Sequence, residues 1–172
     1  MKRTVIKRNG SHEKFETQKI INAIFEILIG LDIEDNYEIV FKIMKELDLK
    51  VPELVKTEEL DQLLLKAIEQ LIPQHPMYDT LATRQLLKQI NKKIERDLNG
   101  FIEYLNHAIE QNLLNEELLQ LDTDLLESAI DYPRDELLGY FGLTTLKDRY
   151  LMKDRGQKTI EKPQWFFMRV AM

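Results

Sequence analysis

The first fifteen residues combine apolar and polar positions in a way that predicts a β-hairpin. The segments Thr4–Arg8 and Ser11–Phe15 lie on either side of the dipeptide Asn9-Gly10. Asn-Gly is a strong signal for a type I′ turn, because both central residues of that turn need a positive φ. We therefore expect two antiparallel strands joined by Asn9 and Gly10.

Four stretches with apolar residues at helical spacing follow this hairpin. Thr17 is predicted to be the N-cap of the first helix, and Thr57, followed by two glutamates, begins the third. The second helix begins near Asn36, and Val51-Pro52 interrupts the chain after it. The positions that we expect to face the core are Ile20, Ile21, Ile24, Ile27 and Leu28 in the first helix, Ile39, Val40, Ile43, Met44 and Leu47 in the second, Leu60, Leu63, Leu64, Ala67, Ile68 and Leu71 in the third, and Leu86, Leu87, Ile90 and Ile94 in the fourth, which runs from about Met77 to Asp97.

The dipeptide Asn99-Gly100 is predicted to mark a domain boundary, which divides the chain into residues 1–97 and 98–172. The elements expected after it are helices over Phe101–Gln111, Asn115–Leu119, Asp124–Ile130 and Arg134–Tyr140, and a β-hairpin around Asp154-Arg155-Gly156. The expected fold is therefore mainly α. A β-hairpin caps a four-helix bundle, and a helical domain with a short β-hairpin near the C-terminus follows.

The composition excludes several kinds of functional site. The 172 residues include no cysteine and three histidines, so disulfides, thiolate zinc sites and thiol nucleophiles are excluded, and no metal-ligand pattern is present. The net charge of −6 disfavours a broadly cationic nucleic-acid binder. The longest apolar stretch, Ile20–Leu31, is too short to cross a bilayer, and the N-terminal residues lack the apolar core of a secretory signal. We expect a cytoplasmic protein with no nucleic-acid or membrane partner.

Positive charge is concentrated in two segments of this acidic chain. Residues 1–20 contain six basic and two acidic side chains, a local charge of +4. In residues 84–96, a spacing of four places several basic side chains in one row on a helix, where like charges repel. These are Arg84, Lys88, Lys92 and Arg96. A bound anion would relieve the repulsion, whereas the alternative is a solvated basic face.

Several motifs along the chain resemble those of one protein family. Val5-Ile6-Lys7-Arg8-Asn9-Gly10-Ser11, with Glu13, Phe15, Lys19 and Ile20 after it, resembles the start of an ATP-cone, the regulatory nucleotide-binding module of many ribonucleotide reductase large subunits. Lys56-Thr57 and Tyr78-x-x-Leu81-Ala82-x-Arg84 continue the resemblance in register. Two later stretches are similar to the segment that leads into the catalytic barrel of these enzymes. They are Tyr140-Phe141-Gly142-Leu143-x-Thr145-Leu146-x-x-x-Tyr150-Leu151 and Glu161-x-Pro163-Gln164-x-x-x-Met168-Arg169-Val170-Ala171.

This resemblance implies an allosteric site for ATP and dATP, with Mg²⁺ accompanying the nucleotide. Charged side chains would contact phosphate or ribose, since charge-assisted hydrogen bonds suit an anion; these are Lys7, Arg8, Lys19 and Lys92. Val5 and Ile20 would flank the base or pack in the core, and Glu13 would accept a hydrogen bond from the adenine amino group. Thr57 would bind phosphate or cap its helix. The full set of implied nucleotide-binding residues is Val5, Lys7, Arg8, Glu13, Glu16, Lys19, Ile20, Thr57, Asp61, Lys88 and Lys92.

The resemblance also implies partners. The chemistry of the family proceeds through cysteines in a barrel, so we expect this cysteine-free chain to be inactive alone and to be either an expressed fragment or one piece of a split subunit. The implied partners are the remainder of the large subunit and a radical-generating small subunit, in an oligomer. Two alternatives stay open: a helical interaction module with a degenerate cone, and a cone-containing transcriptional regulator.

Overall fold

The computed structural model describes residues 3–7 and 9–172, and Met1, Lys2 and Arg8 lie outside this description. The chain divides into two compact units, Met1–Gln85 and Leu86–Met172. The division falls within one long helix, Met77–Ile94. The boundary expected between residues 97 and 98 stays a prediction.

The described part of the chain is mainly helical, with a small sheet at its N-terminal end. In chain order the elements are β1 (Thr4–Ile6), β2 (His12–Lys14), α1 (Thr17–Leu28), α2 (Asn36–Asp48), β3 (Leu54–Lys56), α3 (Thr57–Glu69), α4 (Met77–Ile94), α5 (Phe101–Glu110), α6 (Thr123–Ser128), α7 (Gly139–Arg149) and α8 (Pro163–Ala171). Short 3₁₀ turns lie at Ile72–Gln74, Glu116–Gln120 and Tyr132–Leu138. The expected class is confirmed. Among the described residues, no helix has both the length and the apolar character needed to cross a membrane.

The sheet has three strands in the order β2-β1-β3. The predicted hairpin is confirmed, because β1 and β2 pair antiparallel with Val5 opposite Glu13. The third strand was not predicted. It pairs parallel to β1, with Val5 opposite Val55, and it runs directly into α3. Strand β1 therefore lies in the centre of the sheet, and β2 forms an exposed edge.

The turn between β1 and β2 differs from the predicted type I′ turn. The Gly10 N–H donates to the Lys7 carbonyl at 2.9 Å, so the turn closes one residue earlier than expected. Gly10 has a φ of 81°, whereas Asn9 is not among the described residues with positive φ. The Asn9 side chain instead accepts hydrogen bonds from the Ser11 N–H at 3.0 Å and the Ser11 hydroxyl at 2.7 Å. This local bonding gives Asn9 a role that does not need the left-handed conformation.

The helices of the first unit pack through the apolar positions that periodicity selected. Helix α2 packs against both α1 and α3. Most of the predicted core positions in these three helices are buried, although Ile21, Met44, Leu60 and Leu63 are only half-buried. Glu16, rather than Thr17, is the N-cap of α1, and its side chain does not bond to the helix. The N-cap of α2 is Asp35, whose carboxylate accepts from the Tyr37 and Glu38 N–H groups at 2.9 and 3.0 Å.

The second unit is organised around an aromatic core. Trp165 of α8 and Tyr104 of α5 are fully buried and stack with ring centroids 5.2 Å apart, and Phe101 lies beside both rings. Helices α7 and α8 pack against each other and against the 3₁₀ turn Tyr132–Leu138. The apolar residues of α8 therefore contribute to the core through Trp165, while Phe167 and Val170 are exposed at 43% and 65%.

A buried carboxylate connects three parts of the second unit. Glu161 is fully buried and accepts a hydrogen bond from the Tyr104 hydroxyl of α5. It also accepts one from the Met152 N–H at 2.8 Å and two from the Arg169 guanidinium of α8, at 2.6 and 3.1 Å. Because an unpaired buried charge is costly, this set of donors fixes where the Met152–Glu161 segment lies.

Several predictions for residues 98–172 need correction. The predicted helix Asn115–Leu119 is the 3₁₀ turn Glu116–Gln120, and Arg134–Tyr140 is divided between the 3₁₀ turn Tyr132–Leu138 and the start of α7. The hairpin around Asp154-Arg155-Gly156 is a tight loop closed by a single antiparallel bridge between Lys153 and Thr159. Its backbone groups bond across the loop, with Asp154 N–H donating to the Lys158 carbonyl at 2.8 Å. The segment is too short to form paired strands.

Candidate functional site

Two lysines from different elements of the first unit meet at one carboxylate. Lys7 follows the last residue of β1, Glu13 is in the middle of β2, and Lys19 is in the first turn of α1. Both ammonium groups contact the same oxygen, Glu13 Oε2, at 3.1 Å for Lys7 and 3.2 Å for Lys19. Hydrogen bonds from Lys7, which has the larger effect, and from Lys19 lower the pKa of Glu13 below its ordinary value. The fold therefore places two cationic groups within reach of one small anion.

Glu16 extends this group of charges. The Lys19 ammonium lies 3.3 Å from Glu16 Oε1, in addition to its contact with Glu13. Bonds to Glu13 and then Glu16 raise the pKa of Lys19, so the ammonium stays protonated. All four side chains are partly or largely exposed to solvent. We call Lys7, Glu13, Glu16 and Lys19 the charged cluster.

The apolar candidates lie behind this surface. Val5 and Ile20 are 8% and 6% exposed and belong to the core of the first unit. This burial agrees with the packing role left open for both residues. Contact of either side chain with a base stays a prediction.

Thr57 does not cap α3. It is the first residue of the helix, the N-cap is Lys56, and the Thr57 hydroxyl donates to the Ile6 carbonyl at 3.2 Å. That bond ties the start of α3 to the end of β1. Asp61 follows one turn later on the same helix face and is half-buried, with interactions of its own. A phosphate contact by either residue stays a prediction.

The first residue of the predicted basic row, Arg84, bonds to the protein backbone. The Arg84 guanidinium donates from Nη1 to the Ile27 and Ile29 carbonyls at 2.9 and 2.7 Å. Since α1 ends at Leu28, Arg84 satisfies carbonyls at the C-terminus of that helix, where a cation is favourable. Lys88 is half-buried and Lys92 is exposed, and both take part in interactions.

Other parts of the prediction lie outside this geometry. Arg8 is outside the described residues, so its assignment stays a prediction. Two cavities of the first unit, of about 650 and 420 Å³, are lined by none of the predicted site residues. Within residues 3–7 and 9–172, no group of three or more His, Asp or Glu side chains is arranged to hold a metal ion.

Comparison with known proteins gives two family matches. Residues 3–93 match the family described as the ATP cone domain, and residues 136–172 match the family described as the ribonucleotide reductase all-alpha domain. The first match includes the charged cluster, Thr57 and the lysines of α4. The second includes α7, α8 and Glu161.

The chain is also similar to reductase subunits from several organisms. The chain is 33% identical to ribonucleoside-diphosphate reductase large chain 2 of Saccharomyces cerevisiae, 34% identical to the alpha subunit of this reductase from Helicobacter pylori, and 32% identical to the large subunit of Danio rerio. Each alignment covers 98% of this chain and 20–22% of the relative, so the chain spans about a fifth of the length of these proteins. Together with the matched families, these alignments show that the chain belongs to the ATP cone family and is similar over nearly its whole length to the N-terminal region of ribonucleotide reductase large subunits.

Proposed function

We propose that this chain is the allosteric portion of a ribonucleotide reductase large subunit, and that its cone binds ATP and dATP to control the reduction of ribonucleotides to deoxyribonucleotides. The observation that carries the proposal is the convergence of Lys7 and Lys19 on a single oxygen atom. Two ammonium groups that contact one acceptor oxygen suit a phosphate group, whose oxygens accept charge-assisted hydrogen bonds. The match of residues 3–93 to the ATP cone domain supports the assignment.

The proposed role of each residue follows from the chemistry of its side chain. Lys7, Arg8, Lys19 and Lys92 contact phosphate or ribose, and Glu13 accepts a hydrogen bond from the adenine amino group. Val5 and Ile20 form the apolar floor on which a base packs. The proposed site also includes Glu16, Thr57, Asp61 and Lys88. The support for Lys88 and Lys92 is their place in the segment that matches the ATP cone domain.

Mg²⁺ enters this proposal only with the nucleotide. The nearest carboxylates of the charged cluster, Glu13 and Glu16, are already bonded to lysines. Mg²⁺ keeps several waters and is commonly bound by phosphate oxygens with one or two carboxylates. The cluster fits such an ion as a neighbour of the triphosphate, with no dedicated protein cage.

We assign catalysis to other parts of the enzyme, which are the proposed partners of this chain. The sequence contains no cysteine, so we propose that the thiol chemistry of the family comes from the rest of the large subunit, and that a small subunit generates the radical. The pure chain should then produce no deoxyribonucleotide with any reductant. Detectable turnover by this chain alone would contradict the proposal.

Nucleotide titration of matched lysine variants tests the binding site. ATP and dATP should raise the thermal midpoint, because a ligand that prefers the native state stabilises it. Lys7→Ala and Lys92→Ala should each weaken binding by about 5- to 150-fold, the equivalent of about 1–3 kcal/mol for a charged hydrogen bond. Lys45→Ala on α2 and Lys93→Ala on α4 remove the same charge from exposed positions and should leave affinity within about twofold.

The outcomes separate a working cone from a degenerate one. No shift of the thermal midpoint at millimolar ATP or dATP would contradict nucleotide binding by this chain. Equal losses in Lys92→Ala and Lys93→Ala would contradict the place of Lys92 in the site. If both nucleotides bind, native mass spectrometry with the rest of the large subunit present should give different oligomers for ATP and dATP, since an effector shifts an equilibrium only through its differential affinity.

A further inference from the structure

The charged cluster is electrically balanced. Glu13 neutralises Lys7 and Lys19 through one oxygen, and Glu16 makes a second pair with Lys19. Two carboxylates therefore face two ammonium groups. A phosphate that approaches the lysines meets the negative charge of these carboxylates, which already contact the same ammonium groups.

The position of Glu13 makes its carboxylate free to leave. It is on β2, the edge strand, and its side chain is 43% exposed. Its ion pairs are surface pairs, which contribute little to stability because water competes for both partners. Breaking them costs the fold little, and the negative charge of Glu13 opposes the approach of a phosphate to the same ammonium groups.

We propose that Glu13 is an internal competitor for the triphosphate, and that the nucleotide binds by exchanging its phosphate oxygens for the Glu13 carboxylate at Lys7 and Lys19. This inference rests on the proposed function, because it assumes that these lysines receive phosphate. The exchange also releases Glu13, whose carboxylate then becomes available to the adenine amino group. Recognition of the base is thereby linked to the presence of the phosphates.

Inorganic tripolyphosphate isolates this exchange from base recognition. Glu13→Gln keeps the size and hydrogen-bonding shape of the side chain but removes the charge that competes. Calorimetric titration of the full chain should show affinity for tripolyphosphate about three- to tenfold higher in Glu13→Gln than in the unmodified protein, the gain expected from two exposed ion pairs. Glu16→Gln, which removes one pair, should give about a twofold gain.

A matched control separates pairing from a general change of charge. Glu38 pairs with Lys42 on α2 at 2.6 Å, so Glu38→Gln removes the same charge from another lysine pair of the first unit. Its affinity for tripolyphosphate should stay within about twofold. In a Lys19→Ala background, the gain from Glu13→Gln should fall to about half or less, since coupled residues are not additive.

The failures of this inference and of the proposed function are distinguishable. If the unmodified chain binds ATP but Glu13→Gln binds tripolyphosphate no more tightly, the competitor role is wrong and the nucleotide site stands. The same conclusion follows if the gain persists undiminished in the Lys19→Ala background. If neither protein binds ATP or tripolyphosphate, the proposed function fails and this inference fails with it. Far-UV circular dichroism checks that each variant is folded.

Discussion

Removing the charge of Glu161 is the sharpest test of how the second unit is held together. Glu161→Gln keeps the shape of the side chain but replaces one acceptor oxygen by an NH₂ group. Whichever oxygen is replaced, the NH₂ group faces a donor of Arg169 and one other donor, which is the Tyr104 hydroxyl at Oε1 or the Met152 N–H at Oε2. The Arg169 guanidinium, which is 21% exposed, would also lose its counter-ion. Burial and the nearby carboxylate raise the pKa of the Tyr104 hydroxyl, so this group remains a donor.

The expected loss follows from the burial of the pair. Removing one partner of a buried ion pair costs about 3–5 kcal/mol, and the partial exposure of Arg169 reduces this to about 2–4 kcal/mol. Urea titration measures the loss, and the protein provides its own probe. Trp165 is the only tryptophan of the chain, and it is fully buried against Tyr104 in this unit. With a urea dependence of about 2 kcal/mol per molar, the midpoint should fall by about 1–2 M.

Two further variants decide whether the mechanism is correct. Glu110→Gln changes an exposed glutamate of α5 and should alter the free energy of unfolding by no more than about 0.5 kcal/mol. Glu161→Gln combined with Arg169→Met removes both charges and should recover part of the stability lost in the single variant. A loss below about 1 kcal/mol in Glu161→Gln, or fully additive losses in the double variant, would refute the reasoning.

Two other predictions concern one residue in each unit. Burial raises the pKa of Asp135 from 3.8 to about 6, so the folded state binds its proton more tightly than the unfolded state, and the protein should lose stability relative to Asp135→Asn as pH rises from 4 to 6. Trp165 fluorescence in urea at several pH values measures this, and a pH-independent difference would contradict it. Arg84→Ala removes donors from the Ile27 and Ile29 carbonyls and should destabilise the first unit by about 1–3 kcal/mol. Faster hydrogen exchange of the α1 amides is the expected readout, and unchanged exchange would be the contrary result.

Helical periodicity was sufficient to predict most of the first unit, because α1, α2 and α3 each bury one apolar face. Periodicity did not predict strand β3. It contains three residues and pairs with a strand some fifty residues earlier, so neither length nor alternation marks it. The turn prediction failed for a local reason. The Asn9 side chain accepts a hydrogen bond from Ser11, and the Asn9 backbone does not have the positive φ that a type I′ turn needs. In α8, the signal was present: Pro163 occupies the first helical position, where its missing N–H is not needed.

The candidate residues came from motif resemblance, whereas their arrangement required the fold. The resemblance selected Lys7, Glu13, Glu16 and Lys19 one by one, and only the folded chain brings them into one cluster. The role of Arg84 could not be predicted from the sequence either, because its acceptors are carbonyls at the end of a helix more than fifty residues away. Spacing alone had placed it in a basic row, for which a bound anion and a solvated face were both open.

Net charge over a sequence window is a poor measure of the field that an anion would meet. The local charge of +4 in residues 1–20 counts only the charges within that segment. In the structure, Arg3 pairs with Asp48, far outside that window, and Lys7 and Lys19 pair within the charged cluster. These pairs cancel charge where a phosphate would bind, but they also hold the ammonium groups together. In the proposed site, affinity for a triphosphate would therefore depend on the difference between two sets of contacts to the same lysines, and the Glu13 carboxylate on the edge strand would tune it.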